Sequence, residues 1–123
     1  MSETAASIIE AISGIRLGSV PHEDDIHSLI ADALNRNTIH FVHEARLGPG
    51  RRADFLIGRV AVEVKKGRPA PTALIRQLTE YLKHPEVDEI VVVCQRKVRL
   101  PEKIGGKPVY QLSLDRLWGI SLK

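Results

Sequence analysis

The sequence predicts an α/β domain, a mixed central β-sheet with an αβββαβ core flanked by helices. Three observations lead there. Apolar spacing is helical up to Asn35 and switches to a period of two from Thr38. The pair Gly58-Arg59 joins two apolar runs, as a tight hairpin would. The apolar run within Glu89–Cys94 follows a helical segment and reads as a strand buried on both faces. The chain has 123 residues, 43% hydrophobic and 27% charged, with no repeat or linker, so residues 1–123 read as one domain.

In order, Ser2–Ile15 reads as a short helix with Ile8, Ile9, Ile12 and Ile15 at helical spacing and Gly14 near its end. A second helix runs from about His22 to Asn35, with Ile26, Leu29, Ile30, Ala33 and Leu34 as its stripe and Glu23, Asp24 and Asp25 in its first turn. From Thr38, Ile39, Phe41, His43 and Ala45 alternate with His40, Val42, Glu44 and Arg46, a strand ended by Gly48-Pro49-Gly50. Ala53–Ile57 and Val60–Lys65 are the hairpin strands. Thr72 is the expected cap of a helix to Lys83, and Pro85 stops it. Glu89–Cys94 and Val109–Leu112 complete five strands, and Leu114–Trp118 is a terminal helix or turn.

Composition narrows the function classes. The longest uncharged apolar run, Ile90–Cys94, is far short of the ~20 residues of a membrane span. The N-terminus lacks a basic segment ahead of an apolar one, and one cysteine makes no internal disulfide, so the expected setting is cytoplasmic. Residues 1–25 hold five acids and one base, leaving 17 basic and 10 acidic residues, a net +7, in residues 26–123. Such a basic body suits a polyanion, although the same charge also serves solubility.

The hairpin carries the chemistry. A two-residue loop pairs Ile57 with Val60, Leu56 with Ala61, Phe55 with Val62 and Asp54 with Glu63. One side is then Phe55, Ile57, Val60, Val62 and Val64, all apolar; the other is Asp54, Leu56, Ala61, Glu63 and Lys65. Opposed carboxylates with Cβ atoms about 4.5–5.5 Å apart are destabilising. A hard divalent cation turns them into a site, and the adjacent lysine can orient water or neutralise phosphate. The competing reading is a solvated face of ordinary surface charges.

Asp54, eight intervening residues, then Glu63-Val64-Lys65 resembles the D…(D/E)-x-K signature of the PD-(D/E)XK nuclease superfamily. The order of elements over residues 20–95 is similar as well, a helix bearing an acid, a meander carrying the motif, a helix, then a parallel strand. Ala53 stands where the family's namesake has proline. The resemblance implies a restriction-endonuclease-like fold and Mg²⁺-dependent phosphodiester hydrolysis, with Mn²⁺ able to substitute. It further implies Asp54 and Glu63 as metal ligands, the Val64 carbonyl as a third, and Glu23 completing the metal site. Lys65 would position or activate water, with Gln77, on the following helix, assisting.

Arg46, Arg51, Arg52, Arg59, Lys65, Lys66, Arg68 and Arg76 cluster in and around the hairpin, as phosphate binding requires. Glu44 is either a further site acid or a rim charge. His22 and His27 diverge on their helix, and His40 and His43 alternate on their strand, so no zinc site is expected. Cys94 reads as a core residue, and no Gly-rich loop for a nucleotide cofactor is present. The expected function is a Mg²⁺-dependent DNA endonuclease; a non-catalytic nucleic-acid-binding module and an RNA-processing endonuclease are the rivals. A homodimer is expected, with Ile8, Ile12, Leu114 and Trp118 as interface candidates.

Overall fold

The computed structural model describes residues 1–15 and 23–114, the side chains of Glu23 and Asp24 lying outside the described set. Helix α1 spans Glu3–Ser13, its N-terminus capped by the Ser2 hydroxyl, which accepts from the Ala5 N–H at 3.1 Å. Helix α2 spans Glu23–Arg36. The Ile39 N–H reaches the Leu34 carbonyl and the Thr38 N–H the Asn35 carbonyl, a Schellman closure with Thr38 at φ 56°. This closure uses up residues 37–39, so strand β1, Val42–Gly48, starts later than the alternation from Thr38 predicts. Ile39 and Phe41 still pack on the core.

Strands β2 (Arg51–Ile57) and β3 (Val60–Lys65) form the expected hairpin, with Gly58 at φ 59° supplying the positive first dihedral of a II′-type turn. Helix α3 spans Pro71–Leu82. Ala70, not Thr72, is its N-cap, because Pro71 occupies the first helical position, where its missing N–H costs nothing. Strand β4 is Glu89–Cys94, buried throughout. A two-residue strand β5, Lys103–Ile104, turns through Gly105 and Gly106, both at positive φ, into β6, Lys107–Ser113.

The six strands lie in the order β1-β2-β3-β4-β6-β5. The β1–β2 and β2–β3 pairs are antiparallel, β3–β4 and β4–β6 parallel, and β5–β6 antiparallel. The protein is therefore α/β with a mixed sheet, as predicted. Helices α1 and α2 cover one face through Ile8, Ile12, Ile26 and Ile30, packed on Phe55, Val62, Val64 and Val93. Helix α3 covers the other through Leu74, Leu78 and Leu82, against Ala61, Ile90 and Val92. Ile8 and Ile12 are 0% exposed and Leu114 1%, so these three belong to the core and not to a dimer interface. Trp118 and the rest of the expected terminal helix lie outside the described residues. Among the described residues no helix is long and apolar enough to cross a membrane.

Candidate active site

The β2–β3 ladder is registered at Ile57↔Val60, Leu56↔Ala61 and Phe55↔Val62, as the sequence predicts, and stops there. Asp54 does not pair with Glu63 as a ladder rung. Instead its carboxylate accepts the Val64 N–H at 2.7 Å, a side chain doing what a backbone carbonyl would do in a regular pair. Ala53 and Phe55 should share a face, yet Phe55 packs under α1 and α2 and Ala53 against α3. The neighbouring strand is distorted at the same level. Glu44, the residue facing Asp54 in the β1–β2 register, is missing from that ladder and sits at φ 54°. A left-handed glutamate inside a strand costs roughly 1–2 kcal/mol. The two distortions together place the Asp54 carboxylate between the strands.

Glu63 lies on the α3 side of β3 and is only 3% exposed. Its Oε2 is buried and without a hydrogen-bond partner. Burial first, then the hydrogen bond and negative charge of Asp54, push its carboxyl up to about 9, with Tyr81 and Lys65 opposing. Desolvation, not the opposed charge that the hairpin register suggests, is thus the leading cause. Lys65 follows on the same face, half-buried, and pairs with Cys94 across β3–β4. The Cys94 thiol is fully buried and pushed up to about 11 by desolvation, which leaves it inert as a nucleophile.

The Val64 carbonyl also faces the gap. The Lys65 carbonyl accepts from the Gln95 N–H, on the β4 side. In an extended strand the next residue's polar groups point the opposite way. The Val64 N–H, which reaches Asp54, confirms that direction.

Two histidines and a tyrosine complete the surroundings. From α2, His27 Nε2 lies 3.8 Å from Asp54 Oδ2, and His27 Nδ1 lies 3.0 Å from His43 Nε2 on β1. The His43 ring stacks on Phe55 at 4.6 Å between centroids. From α3, the Tyr81 hydroxyl donates to the Arg52 carbonyl at 2.9 Å and accepts from Gln77 Nε2 at 3.0 Å. Burial, then the Glu63 charge, raises the Tyr81 phenol well above its ordinary value. Gln77 therefore reaches the carboxylates through Tyr81. His27 and His43 escape a reading by spacing because they meet from different elements. The spacing of Tyr81 marks it only as a core residue, although the four-residue step from Gln77 is a usable signal. The Glu23 side chain, expected to complete the site, lies outside the described residues.

The basic residues separate into groups. Arg51, Arg52 and Arg76 line a cavity of about 500 Å³ between β2 and α3, together with Gln77, Glu80 and Tyr81. Two of them are engaged, Arg51 with Glu80 at 3.4 Å and Arg52 with Glu44 at 3.6 Å. That pairing, with Glu44 exposed, makes Glu44 a rim charge. Arg46 is exposed beside Arg52 on β1, and Lys66 is exposed after β3. Arg59 is not at the site. It lies in the turn, about 20 Å from Lys65 at ~3.3 Å per residue, bound to Asp88 at 2.6 Å and to the Pro85 carbonyl. Arg68 lies in a separate cavity.

Among the described residues no group of three or more His, Cys, Asp and Glu side chains is gathered for a metal ion. The residues present nonetheless fit Mg²⁺ at one point. A buried carboxylate oxygen has no partner, a second carboxylate adjoins it, and a backbone carbonyl faces the same gap. One or two carboxylates are what Mg²⁺ takes while it keeps several waters. Fold and site together define an α/β protein with an acidic pair at the open end of a hairpin. No family model, curated protein or solved structure matches the chain.

Proposed function

We propose that the protein is a Mg²⁺-dependent nuclease that hydrolyses DNA phosphodiester bonds, built on the restriction-endonuclease-like fold of the PD-(D/E)XK superfamily. The observation that carries this reading is Glu63. A buried carboxyl with an orphaned oxygen, set against a second carboxyl, costs the fold stability and returns nothing to packing. A divalent cation removes the cost. The strand order, antiparallel β1-β2-β3 followed by parallel β4 with α3 between, supports the fold assignment.

When bound, Mg²⁺ or Mn²⁺ supplies Lewis-acid neutralisation of the charge that builds on the scissile phosphate. Asp54, Glu63 and the Val64 carbonyl would hold the ion. The Val64 N–H fixes the Asp54 carboxylate from behind, and His27 flanks it. The Lys65 ammonium orients the attacking water or offsets phosphate charge. Tyr81 is a positioning residue, locked by Gln77 and the Arg52 carbonyl beside Glu63.

The decisive experiment is a cleavage panel of linear, nicked, single-stranded and four-way-junction DNA, plus RNA, with and without Mg²⁺ or Mn²⁺. Metal-dependent DNA cutting is expected, with Lys65→Ala abolishing turnover while binding survives. Metal-independent cutting, full activity in Glu63→Ala, or cleavage of RNA alone overturns the reading. Binding without turnover on every substrate identifies a non-catalytic module.

A further inference from the structure

We propose that Arg68, Lys97 and Arg99 form a phosphate-binding subsite that grips the DNA backbone to one side of the cut. This deepens the nuclease reading and rests on it. The three side chains line one cavity of about 530 Å³ with Val98, Leu100 and Gln111. None of the three has an ion pair or side-chain hydrogen bond with a described residue. That separates them from Arg51, Arg52 and Arg59, whose charges are already answered by Glu80, Glu44 and Asp88.

The segment carrying Lys97 and Arg99 lies outside any strand, yet it is fixed. The Gln111 side chain accepts the Val98 N–H at 2.8 Å and donates to the Val98 carbonyl at 2.7 Å, imitating a strand partner. Val98 is 4% exposed and packs with the α3-side core, while Lys97 and Arg99 on either side are exposed. The Arg68 loop is tied to the same segment. The Gly67 N–H donates to Gln95 Oε1 at 3.0 Å, and the Gly67 carbonyl accepts from the Arg96 N–H at 3.0 Å. Ser113 Oγ donates to the Gln95 carbonyl. The backbone that carries the three cations is therefore fixed, so binding has only their side chains left to order.

The register places this frame relative to the carboxylates. Glu63 pairs with Val92, and Val92 with Gln111, so the three stand side by side on β3, β4 and β6 and point to one face. Gln111 is two strands, about 10 Å, from Glu63 at ~4.8 Å per strand. At an axial rise of ~3.4 Å per nucleotide, that separation lies within about three base steps of a duplex. Lys65 lies two residues past Glu63 on β3, and Lys66 is exposed just after that strand. A phosphate bound at the subsite and a scissile phosphate at the acidic pair thus fit one continuous backbone.

The test compares wild type with Arg68→Gln/Lys97→Gln/Arg99→Gln on duplex DNA, measuring binding over a salt series and single-turnover cleavage with Mg²⁺. At ~0.9 per phosphate, the log–log salt slope should drop by about 2 to 3. KM should rise with kcat unchanged, and Arg51→Gln/Arg52→Gln should lower the slope by less than about 1. The charge-preserving set Arg68→Lys/Lys97→Arg/Arg99→Lys should keep the wild-type slope, which separates charge from folding. If wild type cuts DNA and the Gln triple keeps its slope, or loses affinity for RNA only, the subsite is overturned and the nuclease reading stands. If wild type neither binds nor cuts DNA, both fall.

Discussion

Around its turn the β2–β3 hairpin closes with three registered pairs, an apolar face buried under two helices, and a guanidinium held by Asp88 and a backbone carbonyl. At its other end the same two strands part around Asp54, and a buried glutamate has an oxygen that no hydrogen-bond donor reaches. Phe55, Ile57, Val60 and Val62 are better strand formers than Asp54 and Glu63, but propensity by itself does not leave a buried polar atom without a partner. What differs is whether each polar group finds its partner within the chain. The turn end is complete in itself. The open end keeps a buried carboxyl oxygen without a hydrogen-bond partner, and the contrast between satisfied and unsatisfied polar groups marks the candidate site more sharply than cavity size does.

The comparison breaks most decisively at the carboxylates. Asp54→Asn and Glu63→Gln should each lower single-turnover cleavage by about a thousandfold or more, since several kcal/mol of metal-borne stabilisation at 1.36 kcal/mol per decade is lost. Retained cleavage in either variant would make the open end a folding defect and no site.

Next in size is a dependence on pH. The Glu63 carboxyl is raised from 4.5 to about 9 in the folded chain. Between those values the native state keeps a proton that the unfolded chain releases. Metal-free stability should therefore fall as pH rises through the window and level off above it, by an amount on the order of a few kcal/mol. Melts in EDTA should show Glu63→Gln gaining on wild type toward about pH 8, because an amide has no charge to desolvate. Added Mg²⁺ should restore wild type by mass action and leave Glu63→Gln unmoved. Because Glu63 must lose its proton to ligate, Mg²⁺ uptake should release a proton, readable as a buffer-dependent heat in calorimetry. Identical pH profiles for the two proteins would show that Glu63 is not desolvated.

The turn end sharpens the contrast by smaller effects. Nothing lies within 4 Å of a Cβ built on Gly58, so Gly58→Ala meets only backbone strain at φ 59°. It should cost roughly 1–2 kcal/mol in thermal melts and leave kcat intact. Arg59→Gln, removing an exposed clamp, should lower the melting temperature slightly without altering cleavage or the salt slope of DNA binding. A loss of DNA affinity in that variant would return Arg59 to the nucleic-acid surface.

Much of this was legible in the sequence wherever local rules govern. The hairpin register followed from Gly58-Arg59 and from the separation of Phe55, Ile57, Val60, Val62 and Val64 from the polar side. Glu63 and Lys65 landed on one face for the same reason. Contacts between distant elements were not legible. No spacing joins His27 to His43 or Tyr81 to the Arg52 carbonyl, since each pair comes together only after the sheet is covered. The isoleucines of α1 read as a possible interface because amphipathicity marks a buried stripe without naming what buries it. The strand β5 was missed because two residues carry no period, although Gly105-Gly106 is a turn signal on its own. The Asp54 displacement needed the Glu44 distortion, and nothing in a glutamate's neighbourhood announces a positive φ.

The parallel pairing of β3 with β4 has a consequence for how the chain reaches this state. Antiparallel hairpins close in about 1–10 μs, whereas a parallel partner arriving through a helical crossover must wait for a larger loop to close. In that interval β3 is an open edge, and Val60, Ala61, Val62 and Val64 offer another chain a ready template. Glu63 is then still in water and ionised, with Lys65 two residues on. A charge within a β-branched run discourages intermolecular pairing. The acidic side chain whose burial weakens the finished fold as pH rises is, on the way there, a charge that guards against aggregation.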